Sequence, residues 1–126
     1  MNDESVGLVR QIYEIWNEQG PAAIRPMLAA NVELHDAPEI PDAQEWRGPD
    51  AVIARLEAVT AAIGGGSVRF EAFSRRGDAV LVSMCWQLEG EKSAAALGEV
   101  FHLVEVVDGS IARIRVFLTE SQAERA

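Results

Sequence analysis

The 126-residue chain offers little that would staple it or bind polyanions. Its single cysteine, Cys85, has no partner for an internal disulfide. No apolar run approaches the roughly 20 residues needed to span a bilayer. The first residues, MNDESVGLVRQ, carry neither the basic start nor the apolar run of a secretory signal, so a cytoplasmic protein is expected. Basic residues are scarce. Lys and Arg number 11 against 20 Asp and Glu, a net charge of −9, and such a surface repels phosphate backbones and anionic lipid, so neither nucleic acid nor a membrane is expected as a partner. Phosphate-binding glycine loops are missing as well, because Gly64-Gly65-Gly66 lacks a following Lys-Ser/Thr and closes a helix rather than opening one. The only histidines are His35 and His102. Joining both to Asp36 in a two-His-one-carboxylate set would require neighbours of opposite strand parity to converge, so no metal is expected. Nor is any other cofactor. Cys85 has no nearby histidine in sequence, and no nucleophile elbow supports serine hydrolysis.

What is present is an ordinary globular composition, 48% hydrophobic and 25% charged. The length suits one domain over residues 1–126, burying about two-thirds of its extended-chain surface. From Ser5 to Glu18, Val6, Val9, Ile12, Tyr13 and Trp16 recur at helical spacing and predict an amphipathic helix. Gly20-Pro21 ends it and starts a brief second helix carrying Ile24, Met27 and Leu28. Residues 31–36 alternate as a strand, and the stretch from Ala37 to Arg47 reads as a long loop. Gly48-Pro49-Asp50 then opens a third helix with Val52, Leu56, Val59 and Ile63 inward. Everything after the three glycines has period two, broken by turns at Gly77-Asp78, at residues 90–93 and at Asp108-Gly109. Helices first and a strand meander afterwards predict an α+β fold.

The parities of the strands identify the dry face. In residues 79–89 the even positions Val80, Val82, Met84, Trp86 and Leu88 are apolar, and in the last strand Ala112, Ile114, Val116 and Leu118 are. His102 shares this parity with Val100, Val104 and Val106, and Asp36 shares it with Val32 and Leu34. Two titratable groups therefore point inward, where burial without a partner costs several kcal/mol. Each has two open roles. Asp36 is either a pocket base or a strand-end cap, and His102 is either a pocket acid or a hydrogen-bonded core histidine. The walls of such a pocket are expected from Trp16, Val82, Met84, Trp86, Val104, Ile114 and Val116, with Trp46 on the loop as a lid. The odd-parity face carries Phe73, Leu81, Phe101, Leu103, Ile111 and Phe117 among charges, a mixture suited to a homodimer interface.

This layout resembles the nuclear transport factor 2-like superfamily, in particular the SnoaL-like polyketide cyclases and the Δ5-3-ketosteroid isomerases. The carriers are the passage Leu28-Ala29-Ala30-Asn31-Val32-Glu33-Leu34-His35-Asp36 and the closing Val107-Asp108-Gly109-Ser110-Ile111 with Arg113. The resemblance implies a cystatin-like, cone-shaped, curved antiparallel sheet with the N-terminal helices packed on its concave face, and a homodimer. It implies that Asp36 stands where the isomerases keep their proton-shuttling carboxylate, that Trp86 lines the pocket, and that His102 lies at or next to their oxyanion-stabilising acid. The chain departs from that pattern at three places. The isomerases' tyrosine on the first helix falls at Ile12 rather than Tyr13, the oxyanion acid is a histidine, and the cyclase aspartate of the last strand falls near Val116.

The function expected from residues and resemblance together is a cofactor-free acid–base enzyme, an isomerase, cyclase or lyase. It would act on a small apolar carbonyl compound such as a polyketide- or steroid-like molecule, with Asp36 and His102 as catalytic residues. The alternative is a non-catalytic small-molecule-binding or dimeric association module of the same fold.

Overall fold

The structure, a computed structural model, describes residues 3–40, 43–62, 67–87 and 99–125. Helix α1 (Asp3–Gln19) buries Val9, Ile12, Tyr13 and Trp16, the stripe its spacing predicts. Gly20, at φ 95°, breaks it, and Pro21–Met27 forms a 3-10 helix with Pro26 inside, where a tighter, shorter helix replaces the expected α-helical turn. Strand β1 (Leu28–His35) begins three residues earlier than expected. Part of the presumed loop is a short edge strand, β2 (Glu45–Arg47). Helix α2 (Pro49–Ala62) follows, with Pro49 in its first turn. Then come β3 (Ser67–Arg76), β4 (Ala79–Gln87), β5 (Glu99–Val107) and β6 (Ser110–Phe117). The β5–β6 turn uses Asp108 at φ 52° and Gly109 at φ 79°, the left-handed conformations that a tight hairpin demands. A six-residue helix, α3 (Glu120–Arg125), which the sequence pattern did not announce, closes the described chain. The expected stop at Gly64-Gly65-Gly66, Ile63, Leu88 and the turn at residues 90–93 lie outside the described residues.

The fold is α+β, but the expected cone of antiparallel strands is not formed. The six strands make an open, mixed sheet in the order β2-β1-β6-β5-β4-β3, with β2 and β3 at opposite edges instead of meeting. Strand β1 lies between β2 and β6, antiparallel to the first and parallel to the second. The parallel pairing arises because the chain leaves β1 at one end of the sheet and the final hairpin brings β6 back along it in the same direction. With only three residues, β2 offers too short an edge to continue the ladder towards β3.

Two bulges change the face assignments. Phe70 pairs with Met84 but Ala72 with Ser83, so Glu71 is an extra residue and Phe73 returns to the inner face opposite Val82. In β6, Arg113 pairs with Glu105 but Ile111 with Val106, so Ala112 is the extra residue and Ile111 turns into the core. A one-residue slip inverts every side chain beyond it. The main core packs α1, the 3-10 helix and α2 against one sheet face, and contains Val32, Leu34, Val82, Met84, Val104, Ile111 and Ile114. A second cluster on the opposite face joins Ala79, Leu81, Phe101 and Leu103 to Ala123 of α3, with Phe117 packed alongside. The apolar set expected at a homodimer interface is thus used within the chain: Phe73 and Ile111 face inward, and Leu81, Phe101 and Leu103 are buried. Among the described residues the exposed large apolar side chains are Val107 (56%) and Leu118 (38%). No described helix is long and apolar enough to cross a membrane.

Candidate functional site

On the inner face His102 of β5 pairs with Val82 of β4 and Val116 of β6. It is 4% exposed, a polar side chain on an otherwise apolar face. Helix α1 brings the hydroxyl of the fully buried Tyr13 within 2.9 Å of its Nδ1. Trp16, one turn further along α1, lies nearly parallel to the imidazole at 6.1 Å between centroids. Phe70 and Phe73 meet the Tyr13 ring edge-on at 5.4 and 6.2 Å, Phe70 facing inward opposite Met84 and Phe73 brought to the same side by the β3 bulge. Burial pushes the Tyr13 hydroxyl far above its ordinary range and pushes His102 down to about 4. At neutral pH both groups are therefore uncharged.

Neutrality fixes the direction of the hydrogen bond. A buried tyrosine proton must be donated, and among the described residues Nδ1 of His102 is its acceptor. The imidazole then carries its own proton on Nε2, which makes no hydrogen bond to any described residue. The site thus presents a neutral N–H donor in apolar surroundings.

Asp36 follows β1 on the same face, its side chain 4% exposed. Its Oδ2 accepts from the indole Nε1 of Trp46 at 2.9 Å and from the backbone N–H of Gln44 at 3.2 Å. Arg55 of α2 grips both oxygens, Nε to Oδ1 at 3.2 Å and Nη2 to Oδ2 at 3.1 Å, and its guanidinium carbon lies 5.3 Å from the Trp46 ring centre. The expected strand-end capping role is therefore occupied, and the carboxylate ties β1, β2 and α2 together. His35 pairs with Arg115, so the next position along β1 is level with Val116, and Val116 pairs with His102. Asp36, Val116 and His102 form one inner row, the outer two separated by two strand spacings, roughly 10 Å between backbones. Val116 at its centre is half-buried.

Of the expected wall residues, Trp16, Val82, Met84, Val104 and Ile114 are buried around this row. Trp46 is pinned in β2 by Asp36 rather than free to move as a loop lid. Trp86 pairs with Val68, but its side chain lies outside what is described. Sequence reasoning missed two functional candidates. Tyr13 had been counted only as core and set aside in favour of Ile12 as the counterpart of the isomerases' tyrosine, yet it is the residue that reaches His102. Arg55 had not been singled out. It stands three residues after the inward Val52, a spacing that places it beside the buried stripe.

On the opposite face, Glu33, His35 and Glu45 offer ligand atoms within 4.8 Å of one another, a set that could hold a divalent cation. His35 is half-buried, with Nε2 at 2.8 Å from Glu33 and Nδ1 at 3.7 Å from Glu45. Glu45 also takes Arg47 at 3.0 Å, and the hydrogen bond from His35 holds the Glu33 carboxyl below its usual range. The same carboxylates that would ligate a cation already have positive or donating partners.

An open six-stranded sheet with three helical segments over a face bearing a buried tyrosine–histidine pair defines an α+β fold. Residues 9–114 match the SnoaL-like domain, and the chain belongs to that family. No curated protein matches it. Among solved structures it is similar to a nuclear transport factor 2-like protein of unknown function from Mesorhizobium loti, with 18% identity, a TM-score of 0.71, and coverage of 94% of this chain and 93% of that one. It is similar to a Catenulispora acidiphila protein of ketosteroid isomerase-like fold in complex with trimethylamine, at 16% identity, TM-score 0.66, and 90% and 86% coverage. It also resembles a provisionally named SnoaL-like polyketide cyclase of Jannaschia sp. CCS1, at 16% identity, TM-score 0.73, and 97% and 89% coverage. At these identities the likeness speaks for the fold.

Proposed function

We propose that the chain is a cofactor-free acid–base enzyme acting on a small apolar carbonyl compound held between α1 and the inner sheet face. The observation that carries this reading is the Tyr13–His102 hydrogen bond, which leaves a neutral Nε2–H donor beside the half-buried Val116. A ketone oxygen accepting from Nε2–H becomes more electrophilic, and the bond strengthens as negative charge develops there. Asp36 supplies the carboxylate in the same row. The α-carbon–hydrogen bond breaks, its proton passes to an Asp36 oxygen, and its electron pair moves into an enolate held by His102. Return of the proton to a different carbon completes an isomerisation. For Asp36 to act, the ligand must displace one of its present donors, of which the Gln44 N–H at 3.2 Å is the least demanding.

The saturation of Asp36 favours a second reading, in which the same face binds a carbonyl compound without transforming it and Asp36 serves only to hold Arg55 and Trp46. Solvent deuterium incorporation into 2-tetralone, followed by proton NMR, separates the two. The enzyme reading expects exchange above the buffer rate that disappears in Asp36→Asn while 2-naphthol, a neutral enol-like probe, still binds. Binding of 2-naphthol without any catalysed exchange would leave the binding module.

A further inference from the structure

The face of the sheet opposite His102 carries a groove of about 490 Å³ between the β3–β4 turn, strands β5 and β6, and helix α3. Its floor is apolar, formed by Ala79, Leu103 and Ala123 of the outer cluster. Three arginines and three carboxylates line the groove around that floor. Arg76 is paired with Glu124 at 3.3 Å, and Arg113 places both Nε and Nη2 at 2.6 Å from Oε2 of Glu105. Arg115 is left over. Its one ion-pair contact among the described residues runs from Nη2 to that same, already occupied Oε2 at 3.7 Å, beyond hydrogen-bond reach, and its Nε is enclosed without an acceptor.

An arginine in this state selects its ligand by shape and by charge. An enclosed N–H without an acceptor costs free energy that an incoming oxygen returns, and the planar fork of a guanidinium donates side by side to the two oxygens of a carboxylate or of a phosphate. Charge decides between these. With Glu124 and Glu105 engaged by Arg76 and Arg113, one positive charge is unbalanced at Arg115, which suits a monoanion; a phosphate dianion would bring two negative charges beside Glu105. The third carboxylate, Asp78, is exposed on the β3–β4 turn just before Ala79, whereas Arg115 lies level with Leu103 and Leu81, so the two stand at opposite ends of the groove. We infer that this groove is a second ligand site, separate from the His102 face, which receives a small monocarboxylate on Arg115 with a short aliphatic tail against Leu103 and Ala123. Its volume is that of a small-molecule site.

Titration of the full, nitrogen-15-labelled chain with butyrate at constant ionic strength tests this, followed through the Arg115 Nε–H and Ala123 amide signals. Both signals should shift and saturate with butyrate. Butyramide, the neutral analogue, should leave them in place, and inorganic phosphate should bind about tenfold more weakly or less. Arg115→Gln should weaken butyrate, read at Ala123, by about tenfold or more. Glu105→Gln removes a negative charge from beside the bound carboxylate and should tighten butyrate by about tenfold, which tests the site even if Arg115→Gln does not fold. A shift that never saturates, an equal response to butyramide, or an affinity indifferent to the substitutions overturns the site. Tightest binding of phosphate overturns the assignment to a carboxylate. Butyrate shifts confined to the signals of Tyr13 and Trp16 would put the ligand on the inner face and overturn the groove.

Discussion

The Tyr13 hydroxyl and Nδ1 of His102 meet at 2.9 Å across 89 positions of sequence, in a place where burial keeps both uncharged. Helix α1 and strand β5 each contribute one polar atom to an otherwise apolar interface, and each satisfies the other. The consequence is a defined tautomer, with its second nitrogen free of protein partners among the described residues.

Replacing Tyr13 by Phe removes the donor and leaves Nδ1 buried without a partner. A destabilisation of about 1–3 kcal/mol is expected in urea unfolding. The imidazole should then populate both tautomers, and 2-naphthol affinity should fall although the phenyl ring still fills the site. Unchanged stability together with unchanged affinity would mean that the hydrogen bond organises nothing.

Because His102 titrates near 4 when folded and near 6.5 when unfolded, the unfolded chain binds the extra proton more readily between those values. Its contribution to stability is therefore intact above about pH 6.5. It declines as pH falls and levels off below about 4, a loss of roughly 3 kcal/mol over the window. His102→Gln should flatten that part of the stability profile. A wild-type profile with the same slope as the variant would contradict a depressed histidine.

Much of this region was legible from alternation alone. The even-parity rule correctly turned Val82, Met84, Val104, Ile114 and His102 inward, since those residues lie in stretches of unbroken register. It failed for Phe73 and Ile111, each lying beyond an inserted residue, Glu71 or Ala112, and nothing in the side-chain pattern marks such an insertion. Tyr13 was legible as buried, but its partner was not, because a hydrogen bond between a helix and a distant strand leaves no local trace. Arg55 was hidden for a similar reason. Its meaning comes from the Asp36 carboxylate, which turned out to be a tether as well as an inward charge.

The bulge in β6 makes a direct prediction. Ile111→Ala should cost about 2–4 kcal/mol, the range for emptying a buried aliphatic site, whereas Ala112→Ser on the extra residue should change stability by less than about 1 kcal/mol. Thermal or urea unfolding of the two variants checks it. The reverse order would restore the unbroken alternation.

Helix α3 covers Leu81, Phe101 and Leu103 through Ala123. A chain ending at Thr119 would uncover that cluster, and an exposed apolar sheet face of this kind promotes self-association. Sedimentation velocity should therefore show a larger species for the truncated chain than for the full one at equal concentration. Identical sedimentation would mean that α3 does not shield the face.

Asp36→Ala leaves Arg55 as a largely buried cation without its carboxylate. A loss of about 3 kcal/mol is expected, compared with about 1 kcal/mol for Trp46→Phe, which removes a single donor from Oδ2. Unfolding free energies of the two variants check the ranking. Near-equal losses would indicate that the ion pair does not anchor α2 to the sheet.

The central claim, a neutral Nε2–H donor at His102 within reach of a ligand, is tested most directly by nitrogen-15 NMR of the imidazole from pH 5 to 8, with and without 2-naphthol. The account predicts an Nε2–H signal that does not titrate in this range and shifts when the probe is added. Titration near 6.5, a proton on Nδ1, or a signal indifferent to the probe would contradict it.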